Sequence, residues 1–191
     1  MMNNTVVYDV EVLRSPDELE TGWNSPQAMG FGTAVVYSYD LDQYLFYSPG
    51  QKDELIETLA GKNVVGFNSI RFDNKVLLGD DYKDNLWTDY DILTKAICSK
   101  FKVADIGLAV NKYGFKTVFN GSLGLNKISK ATLDKGKTGH GSHAPQLIRE
   151  GKWAEVFAYN LNDVRLTKQL YEFIQKYGFV VDGDNKIINI G

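Results

Sequence analysis

The sequence predicts an α/β fold, a single domain with a central, mixed five-stranded sheet flanked by helices. Three observations predict it. Strand-like segments come first, helix- and strand-like segments then alternate, and helices dominate the end, the order of a layered α/β domain. Residues Thr5–Val12 form a nearly continuous β-branched, apolar run, the pattern of a strand covered on both faces. The 191 residues are 43% hydrophobic and 24% charged, so one chain of this size can bury close to ~70% of its unfolded surface without staples.

The other elements follow in order. Residues 13–29 hold Pro16, Gly22 and Pro26 and read as a polar insertion after the first strand. Residues 31–39 and 44–47 read as a hairpin turning on Asp40 to Gln43, and 52–60 as a short helix. Residues 63–67 form a buried strand, 72–78 open a helix, and 87–90 form a further strand. Helices are expected at 92–100 and 104–113. Residues 114–143, rich in Gly, Ser, Lys and Thr, read as a second insertion, loop with a helical turn or two. A short helix at 144–150 precedes a long one at Trp153–Tyr177, and 179–190 form a terminal hairpin across Asp182 to Asn185.

Composition narrows the function classes. The single cysteine, Cys98, excludes an internal disulfide framework and reads as a buried structural thiol. No apolar stretch approaches the ~20 residues of a membrane span, and no signal-peptide pattern opens the chain, so a cytoplasmic protein without a membrane partner is expected. The net charge of −3 argues against a general nucleic-acid coat, but charge is segregated. Residues 1–60 hold ten acids against two bases, whereas 112–152 hold eight bases against two acids. That basic segment is either a solvated loop or a phosphate-binding surface, and charge alone favours neither.

Three segments carry chemistry. In the first strand, Asp9 and Glu11 fall on one face because side chains alternate. Two carboxylates at ~4 Å repel by ~4 kcal/mol at an effective dielectric near 20, so such a pair needs a shared cation or an exposed strand end. In the long helix, Val156, Tyr159, Asp163, Leu166, Leu170 and Phe173 form one stripe. Asp163 is its one acid, and a buried acid must be paired, neutralised or metal-bound. A salt bridge to Lys168 or Arg165 is the bland alternative. The third segment, Gly66 to Asp73, runs from a strand end through Asn68 to Phe72 and Asp73 at a helix start. Asp73 there suits a helix cap, and equally the strand-end position where α/β sites gather.

Together these segments resemble the motifs of the DEDD (DnaQ-like) 3′→5′ exonuclease superfamily. Asp-x-Glu matches Asp9 and Glu11. Asn-x-x-x-(Phe/Tyr)-Asp matches Asn68, Phe72 and Asp73, in a context similar to proofreading domains of family B DNA polymerases. Tyr-x-x-x-Asp matches Tyr159 and Asp163, and Ala158 stands where the histidine branch would place His, so the tyrosine (DEDDy) branch is the one resembled. One such motif is cheap, but three in order over residues 5–177 are specific.

The resemblance implies a ribonuclease-H-like fold and metal-dependent hydrolysis at the 3′ end of single-stranded nucleic acid, DNA favoured over RNA. It implies two divalent ions, Mg²⁺ or Mn²⁺, held by Asp9, Glu11, Asp73 and Asp163, with Tyr159 orienting water and phosphate. A helicase or polymerase is the protein partner it suggests. Candidate strand-binding residues are Asn68, Phe72, Lys127, Lys130, Lys135 and Lys137. Phe67, Phe72 and Trp153 are core candidates first and base-stacking candidates second. His140 and His143 stay outside the catalytic set. Two rival readings remain, a ribonuclease-H-like endonuclease and a catalytically idle nucleic-acid-binding module.

Overall fold

The computed structural model describes residues 2–79, 86–119, 121–138 and 143–190. Five strands form one mixed sheet: β1 (Thr5–Val12), β2 (Phe31–Ser38), β3 (Gln43–Tyr47), β4 (Asn63–Gly66) and β5 (Thr88–Asp91), ordered β3-β2-β1-β4-β5. β1, β2 and β3 pair antiparallel in turn, while β4 pairs in parallel with β1 and β5 in parallel with β4. Central β1 and its neighbour β2 are the β-branched runs, and both are buried along nearly their whole length. The sheet therefore has the mixed character and flanking helices expected of it.

Parallel pairing requires crossovers, and two short helices supply them on one face. These are α2 (Lys52–Leu59) and α3 (Asp73–Leu78), with a single turn, α1 (Pro26–Met29), beside them. Val6, Tyr8 and Val10 of β1 pack there against Met29, Leu55, Leu59, Val76 and Leu77. The opposite face is covered by α4 (Ile92–Phe101), α5 (Ile106–Tyr113), α6 (Phe115–Phe119), α7 (Leu125–Leu133), α8 (Ala144–Arg149) and α9 (Trp153–Tyr177). Val7, Val35 and Val65 meet Ile92, Ile97, Ile128, Val164 and Leu170 there, each burial contributing roughly 1.5–3 kcal/mol. A hairpin of β6 (Phe179–Val181) and β7 (Ile187–Asn189) stands apart as its own two-stranded sheet. Asp182 in its turn accepts from Lys100 Nζ at 2.6 Å and Ser122 Oγ at 2.9 Å, fixing it to the core. Among the described residues no helix is long and apolar enough to cross a membrane.

The insertions depart most from expectation. Residues 13–29 contain two 3-10 turns besides α1, and Arg149 ties them to α8 through Glu18 at 3.2 Å and Leu13 O at 3.3 Å. The second insertion is more helical than a loop with a turn or two, since α7 alone spans nine residues. Leu125, Ile128 and Ser129 are its buried stripe, and the intervening Lys, Ser and Thr residues hide that spacing in the sequence. After α7 the chain doubles back, and Lys137 N donates to Asn126 Oδ1 at 2.9 Å. Cys98 is half-buried rather than buried, its Sγ 3.8 Å from Ala104 O.

Candidate active site

Alternation along β1 turns Val7, Asp9 and Glu11 towards α9, as the pleat requires. Pairing with β2 slips between Glu11 and Val12, a bulge at the end of the strand that carries the two acids. Asn160 of α9 reaches across, its Nδ2 donating to Asp9 Oδ2 at 2.6 Å and to Asp9 O at 3.2 Å. This wholly buried asparagine locks helix to strand at the site.

Asp73 arrives by a tight turn after β4. A Cβ at Gly66 would stand 2.4 Å from Ser69 Cβ, so only glycine lets the chain fold back so closely. Asn68 adopts the left-handed conformation (φ 68°), and buried Asp91 takes the amides of Asn68 and Ile70 at 3.0 Å and of Thr94 at 3.1 Å. The turn releases the chain into α3, whose first residue is Asp73. Its Oδ1 accepts from Val10 N at 2.9 Å, so this carboxylate docks between the two acids of β1. That bond crosses to another element and is not a cap on α3.

On α9 the stripe turns inward, with Val156, Asp163, Leu166 and Leu170 buried and Tyr159 half-buried. Asp163 has an ion-pair partner, but not Lys168 or Arg165: Lys168 pairs with Glu172 at 2.7 Å. The partner is Lys137, whose Nζ lies 2.5 Å from Asp163 Oδ2 and donates to Tyr159 OH at 2.9 Å. The other oxygen, Asp163 Oδ1, is buried without a hydrogen-bond partner. Among the described residues Asp9, Glu11 and Asp73 have no ion-pair partner at all.

The four acids act on one another. Burial raises Asp9 well above the ordinary carboxylate range, and the charges of Asp73, Asp163 and Glu11 raise it further. Glu11 is raised well above that range by burial, then by Asp163. Burial pushes Asp73 up to about 7 against the pull of the Val10 amide. Asp163 is raised by burial, with Lys137 and Tyr159 pulling back. Burial opposes the charge of Lys137, yet Asp163, Tyr159 and Asp9 outweigh it and hold the ammonium above its usual value. Tyr159 is raised by burial and then by Asp163, so its hydroxyl stays a proton donor near neutrality.

Asp9 and Asp163 open onto a cavity of about 1450 Å³. Of the candidate strand-binding residues, Asn68, Phe72, Lys127 and Lys137 line it, together with Phe67, whereas Lys130 and Lys135 do not. Lys130 packs on Gly136, and Lys135 Nζ bonds Gln169 Oε1 at 3.1 Å. Trp153 is 40% exposed at the start of α9, away from the lining. His143 is exposed at the head of α8, and His140 lies outside the described residues. Asn160, Asp91, Arg71 and Trp23 are functional candidates that motif reasoning missed. Asn160 was within reach, being one turn before Asp163 and Val164 on the inward side of α9.

Whether the site suits a divalent ion divides by observation. The donors are all carboxylate oxygens, which suits Mg²⁺ or Mn²⁺, and four acids face one ammonium with a bare Asp163 oxygen among them. Among the described residues, however, no three acids converge closely enough to ligate an ion, and Lys137 takes the counter-ion position. The residues suit such an ion in chemistry and charge, while with Lys137 seated on Asp163 the described acids do not gather as a ligand set. No family model matches this chain, and no curated protein matches it.

Proposed function

We propose that this chain is a metal-dependent 3′→5′ exonuclease of the tyrosine DEDD branch, with a ribonuclease-H-like fold, acting on single-stranded nucleic acid with DNA favoured over RNA. The observation that carries the proposal is the meeting of three distant segments in one buried acidic cluster. Burial raises the proton affinity of Asp9, Glu11, Asp73 and Asp163, the charge of Asp163 raises the other three further, and among the described residues Lys137 is the lysine paired with the cluster, beside the Tyr159 phenol. A structural role gains nothing from such repulsion, whereas a divalent cation turns it into binding energy.

In this reading Asp9, Glu11, Asp73 and Asp163 hold the metal. Two divalent ions supply stabilisation of the attacking and leaving oxygens in an in-line displacement. Water loses a proton and forms the new bond to phosphorus, the bond from phosphorus to O3′ of the preceding nucleotide breaks, O3′ takes up a proton from solvent, and a nucleoside 5′-monophosphate departs. Asn160 fixes the rotamer of Asp9, and the Val10 amide fixes Asp73. Tyr159, protonated, donates to water or phosphate and is too weak an acid to serve as base. Lys137, freed from Asp163, offers its ammonium to the scissile phosphate.

A time course on 3′-labelled single-stranded DNA, single-stranded RNA and duplex tests the proposal. The expected result is stepwise release of mononucleotides with Mg²⁺ or Mn²⁺ and none in excess EDTA. Cleavage of a circular single strand would point to an endonuclease instead. One observation favours a second reading, since Lys137 already neutralises Asp163: an idle nucleic-acid-binding module in which lysine stands for the ion. Calorimetry with Mn²⁺ separates the two, the idle module taking up none.

Lys137 also provides a test of competition. Lys137→Met leaves Asp163 buried and unpaired, which should destabilise the metal-free protein by about 3 kcal/mol. Mn²⁺ should then raise the melting temperature of the variant by more than it raises that of the parent. Equal shifts in the two proteins would show that lysine and ion do not compete.

A further inference from the structure

The cavity over the acids is larger than the ~300–1,000 Å³ of a small-ligand pocket, at about 1450 Å³. Both insertions build it, through residues 16–17, 19–24 and 26 from the first and Phe115, Phe119 and residues 124–127 from the second. Charge divides its lining. Cations come from Arg71, Lys127 and Lys137, and acids outside the catalytic cluster from Asp17 and Glu20 of the first insertion.

Aromatic rings accompany both parts. The Arg71 guanidinium sits 4.6 Å from the centre of the Phe119 ring, and Phe115 packs 4.7 Å from that ring while remaining 55% exposed. In the first insertion Trp23 is 68% exposed, the most open of the large apolar side chains among the described residues. Its indole lies 5.9 Å from the Phe72 ring at 52°, and Phe72 directly precedes Asp73. An indole so exposed contributes little to a core, and its 3-10 turn, Gly22–Asn24, contains no buried residue. What it offers is a flat face beside the acids.

We propose that Trp23 is a base-stacking residue that grips the unpaired end of a single polynucleotide strand over the acidic site. The proposal rests on the exonuclease reading of that site and adds to it a substrate-selecting residue. Phosphates lie towards Arg71, Lys127 and Lys137, and Asp17 and Glu20 repel them from the Trp23 side. Bases consequently fall towards the first insertion, where Trp23 and Phe72 receive them. Stacking of this kind tolerates any base, because every base has a π face. It also selects unpaired strands, since a base inside a duplex already stacks on its neighbours.

The test uses the full chain in EDTA at low salt, so that binding is read without hydrolysis. Fluorescently labelled 12-nucleotide single-stranded DNA, the matching RNA and a blunt duplex are titrated against the parent, Trp23→Ala and Trp23→Phe. Trp23→Ala should weaken single-strand binding about 5- to 150-fold, the change that ~1–3 kcal/mol per stacked base produces at 1.4 kcal/mol per decade. Trp23→Phe should keep most of the affinity, and the tighter of DNA and RNA identifies the sugar preferred. Unchanged affinity in Trp23→Ala, equal losses in both variants, or duplex bound as tightly as single strand overturns the stacking role. Digestion of the single strand by the parent with Mn²⁺ is scored separately. A parent that digests while Trp23→Ala binds normally refutes Trp23 alone, whereas a parent that binds through Trp23 but never digests refutes the exonuclease reading alone.

Discussion

Asp9→Asn is expected to lower hydrolysis of a 3′-labelled single strand by a factor on the order of 10³ while making the metal-free protein more stable. The two effects share one cause. Asp9 is buried among Asp73, Asp163 and Glu11, with no ion-pair partner among the described residues, and burial already drives its carboxyl towards the protonated form. An amide of the same shape removes the repulsion and still accepts the Asn160 hydrogen bond. In EDTA the melting temperature should therefore rise by several degrees, ~1 kcal/mol corresponding to about 2–4 °C in a chain of this size. Asp163→Asn is the contrasting variant. It should lose activity to the same degree, but it deprives Lys137 of its partner and gains no such stability. Lost activity together with raised stability excludes misfolding as the cause. Retained activity in Asp9→Asn, or a fall in its metal-free melting temperature, contradicts the proposed site.

Much of this arrangement was legible in the sequence, for identifiable reasons. β1 and α9 occupy the predicted ranges because each carries an uninterrupted pattern, β-branched in Thr5–Val12 and helical in Trp153–Tyr177. The same periodicities turn Asp9, Glu11 and Asp163 towards one interior, and the resemblance to the DEDD motifs adds Asp73 to them. Asp73 was harder, since a helix start also suits a capping aspartate, and only the bond to Val10 fixes its direction. The 114–143 segment reads as looser than it is because Lys and Ser interrupt the stripe of α7. The nearby cations on the helix of Asp163, Lys168 and Arg165, are off the three- and four-residue spacing that brings side chains together. Lys137 is distant in sequence and arrives through the fold-back of 135–138 on α7, a tertiary event that no local pattern encodes. Trp23 had no signal either, because exposure on an irregular turn follows no period.

The metal-free protein should lose stability as pH rises from 5 to 8, and divalent ions should remove that loss. Burial, aided by Asp91 and Asp163, holds Asp73 near 7, whereas an unfolded aspartate titrates near ~3.9. Between those values the folded chain keeps a proton that the unfolded chain has released. Unfolding free energy therefore falls with rising pH, by up to ~1.4 kcal/mol per unit for one such group, or on the order of 4 kcal/mol in all. The stabilising contribution is complete below about pH 4 and gone above about pH 7. Asp9, Glu11 and Asp163 are raised as well and act with the same sign. Groups held low act elsewhere: Lys100 and several donors outweigh burial to set Asp182 at about 2, so its stabilisation fades only as pH falls below about 4. Melting temperatures in EDTA should thus decline across pH 5–8, and Asp73→Asn should flatten much of that slope. With Mg²⁺ or Mn²⁺ the slope should level or reverse, because an ion binds the deprotonated acids and its affinity grows as they lose their protons. Hydrolysis should increase through the same interval. A decline of equal steepness with and without divalent ions would mean that these carboxylates bind none.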